Sequence, residues 1–354
     1  MLTTYLSAAI AQNASDIFLT TAHVPAFKLL GKIEYQTQFS VLTEADIDGF
    51  LLEIIGEAGK EAFGREKDLD FAISLEGIGR FRVNASKTQQ GKTLVLRPIK
   101  SAIPELSTLS LPMEEFIRFT KYANGIILFT GTMGSGKSTS MASLIEYMNI
   151  HTKKHILTIE DPIEYLFESK QSLVDQREVP LHSHNFFRAL RGSFREAVDV
   201  LLLGEMRDLE TMSLAMTAAE TGALVFSTLH TAGSIHAVDR IIDAFPADRQ
   251  QQIRVQLSQV LRAVVWQTLL PNKDGTGMVP AVEILFNNHA VAHLIRKGQT
   301  YQIRSILETS KNEGMIPMEK SVAALVQSDM VDKAMADAYI FSVKKSNLSL
   351  GSED

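Results

Sequence analysis

The chain has 354 residues, 45% of them hydrophobic and 21% charged, with 35 lysines and arginines against 41 aspartates and glutamates and a net charge of −6. This composition is long enough for two domains, excludes a disordered chain and leaves no overall basic footprint for nucleic acid. Cysteine is absent, which excludes disulfides and every thiolate zinc or iron–sulfur site; the start lacks the basic residues of a secretory signal, and no apolar run approaches the ~20 residues of a membrane span.

Residues 1–100 read as a small α+β domain. DIDGFLLEIIGEAGKEAF (46–63) carries apolar residues at helical spacing, whereas DFAISL (70–75), GRFRVNAS (79–86) and TLVLRPI (93–99) alternate or run apolar as strands do. Arg80 and Arg82 share one face of their strand by the period-two rule, and Arg97 lies on the next. Such arginines either pair with local acids such as Glu76 or Asp70 or reach phosphates bound elsewhere, and both readings stand. SAIPELSTLSLP (101–112) is rich in Ser, Pro and Thr and reads as a linker. After it, GIILFT (125–130), HILTIE (155–160), VLLLGE (200–205) and ALVFST (223–228) alternate with helical patterns. That rhythm predicts a parallel sheet with helices on both faces. From about residue 247 the pattern predicts mostly amphipathic helix, in QQQIRVQLSQVLRAVVWQTLL, NHAVAHLIRKG and PMEKSVAALVQSD.

Gly131, Thr132, Met133, Gly134, Ser135, Gly136, Lys137 and Ser138 fit G-x-x-x-x-G-K-[ST], with an apolar strand before them and a helical pattern after. Glycines let backbone amides curl round phosphate oxygens, and the helix N-terminus adds positive potential. Lys137 is placed to neutralise the β and γ phosphates of ATP, Ser138 to offer its hydroxyl to Mg²⁺, and Thr139 to reach the α-phosphate. In an open parallel sheet, ligands sit beyond the C-terminal ends of the strands. Glu160, Asp161 and Glu164 follow one such strand and Glu205 another. Alone, each acid is equally a helix cap or a solvated loop residue. Beside a phosphate loop, Glu205 is placed to orient the attacking water and take its proton, with Glu160 as the second candidate; Asp161, before Pro162, reads as a turn former. Gly204 stands where many such strands carry a magnesium-binding Asp. His230, two residues past Thr228, can hydrogen-bond a γ-phosphate. His289 and His293 have metal-pair spacing but no third ligand, and read as helix-surface residues; His182 and His184 also lack partners. Arg207 and Asp208 have no role derivable from the sequence.

GTMGSGKST, ILTIEDPIEY, VLLLGEMRD and STLHT…DRIIDAFP follow the order of the Walker A, Asp box, Walker B and His box of the secretion ATPases of the type II/type IV superfamily. The chain resembles that family over nearly its whole length, including SDIFLT (15–20) and GRFRVN (79–84). GEMRD, QIRVQLSQVLRAVVWQTLLP and LIRKGQTYQI look most like its pilus retraction branch. The resemblance implies an α/β fold: an N-terminal PAS-like α+β domain (1–100), the linker, and a RecA-like P-loop ATPase domain with a helical C-terminal part (113–354). It implies a homohexameric motor that hydrolyses ATP with Mg²⁺ to retract type IV pili by filament disassembly, the basis of twitching motility. By the same resemblance Glu205 matches the catalytic glutamate, Glu160 the Asp-box acid and His230 the His-box histidine. Arg82 and Arg97 match arginines that approach the nucleotide where a C-terminal domain meets an N-terminal one, with Arg80 beside them. Gly204 is the family's own residue. The implied partners are further copies of the chain, an inner-membrane platform protein and a paralogous retraction or assembly ATPase, at a cytoplasmic site peripheral to the inner membrane; nucleic acid is not expected. Without cysteines the chain cannot form the four-cysteine zinc element of many assembly-type relatives, and its short N-terminus lacks their leading domain, which favours retraction. It departs from the pattern at Ala197-Val198, where Asp-Pro is common, and at Ala232, Gly233 and His236. Alternatives are an accessory, paralogous or ATP-gated scaffold ATPase of a pilus or type II secretion system, and a DNA-translocating RecA-like ATPase.

Overall fold

The computed structural model describes residues 2–29, 31–99 and 102–349. Two compact units result, Met1–Ala102 with Pro162–Leu166, and Ile103–Asp161 with Phe167–Asp354.

The first unit runs α1 (Leu2–Ala11), β1 (Asp16–Thr20), β2 (Ala26–Leu29), β3 (Lys32–Tyr35), α2 (Glu44–Glu66), β4 (Asp68–Leu75), β5 (Gly79–Thr88) and β6 (Gly91–Ile99). Its strands form an antiparallel sheet in the order β3-β2-β1-β6-β5-β4. Alternation along β5 sends Phe81, Val83 and Ala85 into the core and leaves Arg80, Arg82 and Asn84 on the other face. The core closes with Leu2 and Leu6 of α1 and Ile47, Phe50 and Leu51 of α2. α2 opens on a capping box in which Thr43 and Asp46 exchange hydrogen bonds of 2.8 and 3.2 Å. Its helical pattern is interrupted at Gly56, where φ of 65° breaks the axis at a cost that glycine alone escapes.

The second unit runs α3 (Met113–Phe119), β7 (Gly125–Thr130), α4 (Lys137–His151), β8 (His155–Glu160), β9 (Leu173–Glu178), α5 (Phe186–Ser193), β10 (Val200–Leu203), α6 (Leu209–Glu220), β11 (Leu224–Leu229), α7 (Ser234–Asp243), α8 (Ala247–Val260), β12 (Leu261–Pro271), β13 (Met278–Phe286), α9 (His289–Lys297), α10 (Ile303–Thr309), α11 (Met318–Gln327) and α12 (Lys333–Ser349). The sheet order is β13-β12-β7-β11-β10-β8-β9, parallel except for β13. β7, β10 and β11 are buried along their whole length, which is why they read as mostly apolar runs without alternation. The 101–112 stretch carries Leu106 and Leu111 into this unit's core, and the Ser143 hydroxyl donates to the Pro104 carbonyl at 2.7 Å.

One expectation is corrected. Residues 250–270 do not form a single helix: helical spacing buries Ile253, Leu257 and Val260, then Leu261 begins β12. Ala263 to Trp266 are buried on both faces of the sheet, and a short two-sided strand is as apolar as a buried helix segment.

Candidate nucleotide site at the sheet edge

The parallel register decides which side chains meet. Thr130 pairs with Leu229, Phe129 with Thr228, and Leu203 with both Ser227 and Ile159. Gly131, His230 and Gly204–Glu205 follow these strands and Glu160 is the last residue of β8, so all lie at one edge of the sheet. The Thr130 hydroxyl donates to the Thr231 carbonyl at 2.7 Å and accepts from the Thr231 amide at 2.9 Å, fastening the phosphate loop to the histidine loop.

α4 begins at Lys137 after Gly136, which caps it in a left-handed conformation with φ of 83° and no side-chain cap. Its first amides thus keep their donors and their positive potential for an anion. A Cβ at Gly131, where φ is 143°, would lie 2.3 Å from the Gln267 carbonyl, so no other residue fits the start of the loop. Lys137 is only 6% exposed, and its ammonium donates to the carbonyls of Gly131 at 2.8 Å and Thr132 at 2.9 Å, inside the loop it is expected to serve. Thr132, Met133 and Gly134 form the exposed tip, and Ser138 and Thr139 sit half-buried on the first helical turn. Among the described residues no three His, Asp or Glu side chains form a metal cage. A Ser138 hydroxyl beside bound phosphates would suit a magnesium ion, which prefers retained waters and phosphate oxygens.

Past β10, Glu205 Oε2 accepts from Arg207 Nε at 2.7 Å, and Oε1 lies 3.4 Å from His230 Nε2. The hydrogen bond to Glu205 raises the Arg207 guanidinium above its ordinary value. Asp208 accepts from the Thr211 amide at 2.8 Å and is the N-cap of α6. The Thr228 hydroxyl donates to the Gly204 carbonyl at 2.6 Å, bracing the turn from the next strand. A Cβ at Gly204 would make ordinary contacts of 3.4 Å with the Ile159 carbonyl and 3.5 Å with the Glu160 Cα. Such a Cβ would touch the end of β8, where Glu160 has Gln176 Nε2 at 3.5 Å. Asp199, before β10, is at the opposite edge and accepts from the His155 amide at 2.9 Å.

Of the other histidines, His289 and His293 are exposed on α9, and His182 accepts the Glu178 amide at 3.0 Å. In the first unit Arg82 stands opposite Arg97 across β5 and β6. Arg97 places Nε and Nη2 on one Asp16 oxygen at 2.9 and 2.6 Å. Burial alone would raise the Asp16 carboxyl, but hydrogen bonds from Arg97 and Ser15 outweigh it and hold the group below its usual value. Asp70 and Asp68 receive Asn84, at 3.4 and 2.9 Å. Arg82 and Arg97, with Glu164 and Tyr165, line a small cavity of about 200 Å³ within the first unit.

Two buried polar residues escape the sequence reading. Glu283 on β13, 2% exposed, accepts from the Ser234 amide and hydroxyl at 3.1 and 2.6 Å and so ties the start of α7 to the sheet. Burial raises its carboxyl above the usual value against the pull of those bonds. Gln267 on β12 touches the phosphate loop itself. Their only signal is a polar letter inside an apolar run.

A phosphate loop, acidic strand ends and a histidine loop gathered at one edge of a parallel sheet define a RecA-like P-loop ATPase. The family model for type II/IV secretion system proteins matches residues 1–339, and the chain belongs to that family. It is 42% identical over 290 residues to the twitching motility protein of Neisseria gonorrhoeae, covering 82% of this chain and 77% of that one. It is 38% identical over 335 residues to the type IV pilus retraction ATPase PilT of Pseudomonas aeruginosa, covering 95% and 96%. The crystal structure of the pilus retraction motor PilT with bound ADP superposes with a TM-score of 0.87 at 38% identity, covering 95% of each chain. The α/β fold, with an N-terminal domain before a RecA-like ATPase domain, is the one the resemblance implied.

Proposed function

We propose that the chain is a homohexameric motor that hydrolyses ATP to retract type IV pili. The observation that carries this reading is the shared edge on which the register places the Lys137 loop, Glu160, Glu205 and His230. Backbone amides at the α4 N-terminus and the Lys137 ammonium hold the β and γ phosphates. Magnesium bound through Ser138 would offset charge that develops on the phosphate oxygens. Glu205, steadied by Arg207 on one oxygen and near His230 on the other, orients the attacking water and accepts its proton. Glu160 holds the neighbouring strand end, and Thr139 reaches towards the α-phosphate. In the first unit, Arg82 is the better candidate for contacting phosphate, because Arg97 is engaged by Asp16; Arg80 supports that face.

The motor is expected to act with an inner-membrane platform protein and a paralogous retraction or assembly ATPase, in the cytoplasm and peripheral to the inner membrane. Among the described residues no helix is long and apolar enough to cross a membrane, which is compatible with that placement. The test uses Glu205→Gln, which should bind Mg-ATP as the wild type does and lose turnover by at least about a hundredfold. A strain lacking the gene should lose pilus retraction and regain it with the wild-type chain but not with this variant. Near-normal hydrolysis by Glu205→Gln would reject the general-base role, and intact retraction in the deletion strain would reject the motor role.

A further inference from the structure

Gln267 lies inside β12 between Trp266 and Thr268 and is 1% exposed. A buried carboxamide is costly unless both of its ends are bonded. Here both are: Nε2 donates to the Ser135 carbonyl at 2.8 Å, and Oε1 accepts from the Ser140 hydroxyl at 2.9 Å. Ser135 is in the phosphate loop and Ser140 is one turn into α4. One side chain therefore bridges the loop-to-helix junction at Gly136, Lys137 and Ser138. The backbone takes part as well. A Cβ at Gly131 would lie 2.3 Å from the Gln267 carbonyl, and one at Gly136 would lie 2.8 Å from Gln267 Nε2. The two glycines that bound the loop are thus packed directly against this one residue. β12 itself is fixed to β7 by parallel pairing, with Trp266 opposite Thr130, the last residue before the loop.

We propose that Gln267 is a positioning residue for nucleotide binding: it holds the loop's amides and Lys137 in the arrangement that receives the phosphates, without touching the nucleotide. This rests on reading residues 131–138 as the phosphate loop. The chemistry is specific to an amide. The Ser135 carbonyl needs a donor, which a glutamate would replace with a second acceptor facing it, and which leucine would remove at nearly constant volume. The β-phosphate is common to ATP, ADP and the transition state, so a loosened loop weakens all three together. The loss then falls on KM and on ADP affinity, with kcat preserved. A purely structural role predicts the reverse, since partial unfolding lowers the active fraction and apparent kcat and leaves KM alone.

Steady-state ATPase and calorimetric Mg-ADP binding on the full chain decide the matter. Gln267→Leu should raise the KM for ATP and the Kd for ADP about tenfold, the effect expected of two lost hydrogen bonds, with kcat within about twofold of wild type. Gln267→Glu should raise both further. Ser140→Ala, which removes only the acceptor-end partner, should raise both about two- to fourfold. Unchanged KM and ADP affinity in Gln267→Leu, or a fall in kcat at constant KM, overturns the proposal. Should Gln267→Leu not fold, Ser140→Ala alone decides, and an unchanged KM overturns it. Lys137→Ala separates the two levels of the argument. If that variant keeps its turnover, the phosphate-loop reading fails; if it loses turnover while Gln267→Leu keeps its KM, only the role of Gln267 fails.

Discussion

The two oxygens of Glu205 have different neighbours, a guanidinium at 2.7 Å and an imidazole at 3.4 Å. Arg207 holds one oxygen of the carboxylate, and His230 lies within reach of the other. Arg207→Ala should therefore lower kcat between about tenfold and a hundredfold, as small misplacements of a catalytic group do, with the KM for ATP unchanged. Arg207→Lys should recover only part, because a flexible point charge replaces a planar donor. Steady-state kinetics check both, and an unchanged kcat in Arg207→Ala would remove Arg207 from the catalytic geometry. Lys137, Glu160, Glu205 and His230 were legible as site candidates because each lies within a few residues of a strand end. Arg207 and Asp208 stand beside them in sequence yet had no readable role, since one bonds back two residues and the other caps the next helix. Gln267 was illegible for another reason: it reaches Ser135 across 132 residues of chain, and no local pattern announces such a bond.

At the level of elements, the N-cap of α6 links the strand end to the helix behind it. Asp208→Ala should cost about 1 kcal/mol of stability, and Asp208→Asn should cost much less because the acceptor survives. Denaturant unfolding of the three proteins provides the comparison, and equal midpoints for Asp208→Ala and wild type would show that the cap contributes nothing. β5 could be read from its alternation and β7, β8, β10 and β11 from their position in a repeating strand–helix rhythm. β12 and β13 could not. The helical spacing of α8 runs without punctuation into Leu261, and Gly275 and Gly277 mark only the turn after β12. Burial on both sides erased the alternation that identified β5.

Across the whole molecule, burial of Glu283 on β13 predicts a stability that depends on pH. Its carboxyl is raised in the folded protein, chiefly by burial, so the fold binds its proton more tightly than the unfolded chain does. That contribution is complete below the unfolded value of about 4.3 and is lost as pH rises through the folded-state value. Glu283→Gln keeps the uncharged form at every pH. Its unfolding midpoint relative to wild type should therefore climb as pH rises above about 4.3. A constant difference between the two proteins above that pH would mean that Glu283 does not set the trend.

The short strip Pro162–Leu166 belongs to the first unit, although the residues on either side of it, through Asp161 and from Phe167, belong to the second. The first unit is therefore not encoded by one continuous stretch. A fragment ending at Ala102 would carry the whole six-stranded sheet and still lack Glu164 and Tyr165, which line the cavity beside Arg82 and Arg97. A chimera that exchanges N-terminal units between two relatives must graft this five-residue strip along with residues 1–102. Otherwise the arginines of one parent will face the strip of the other.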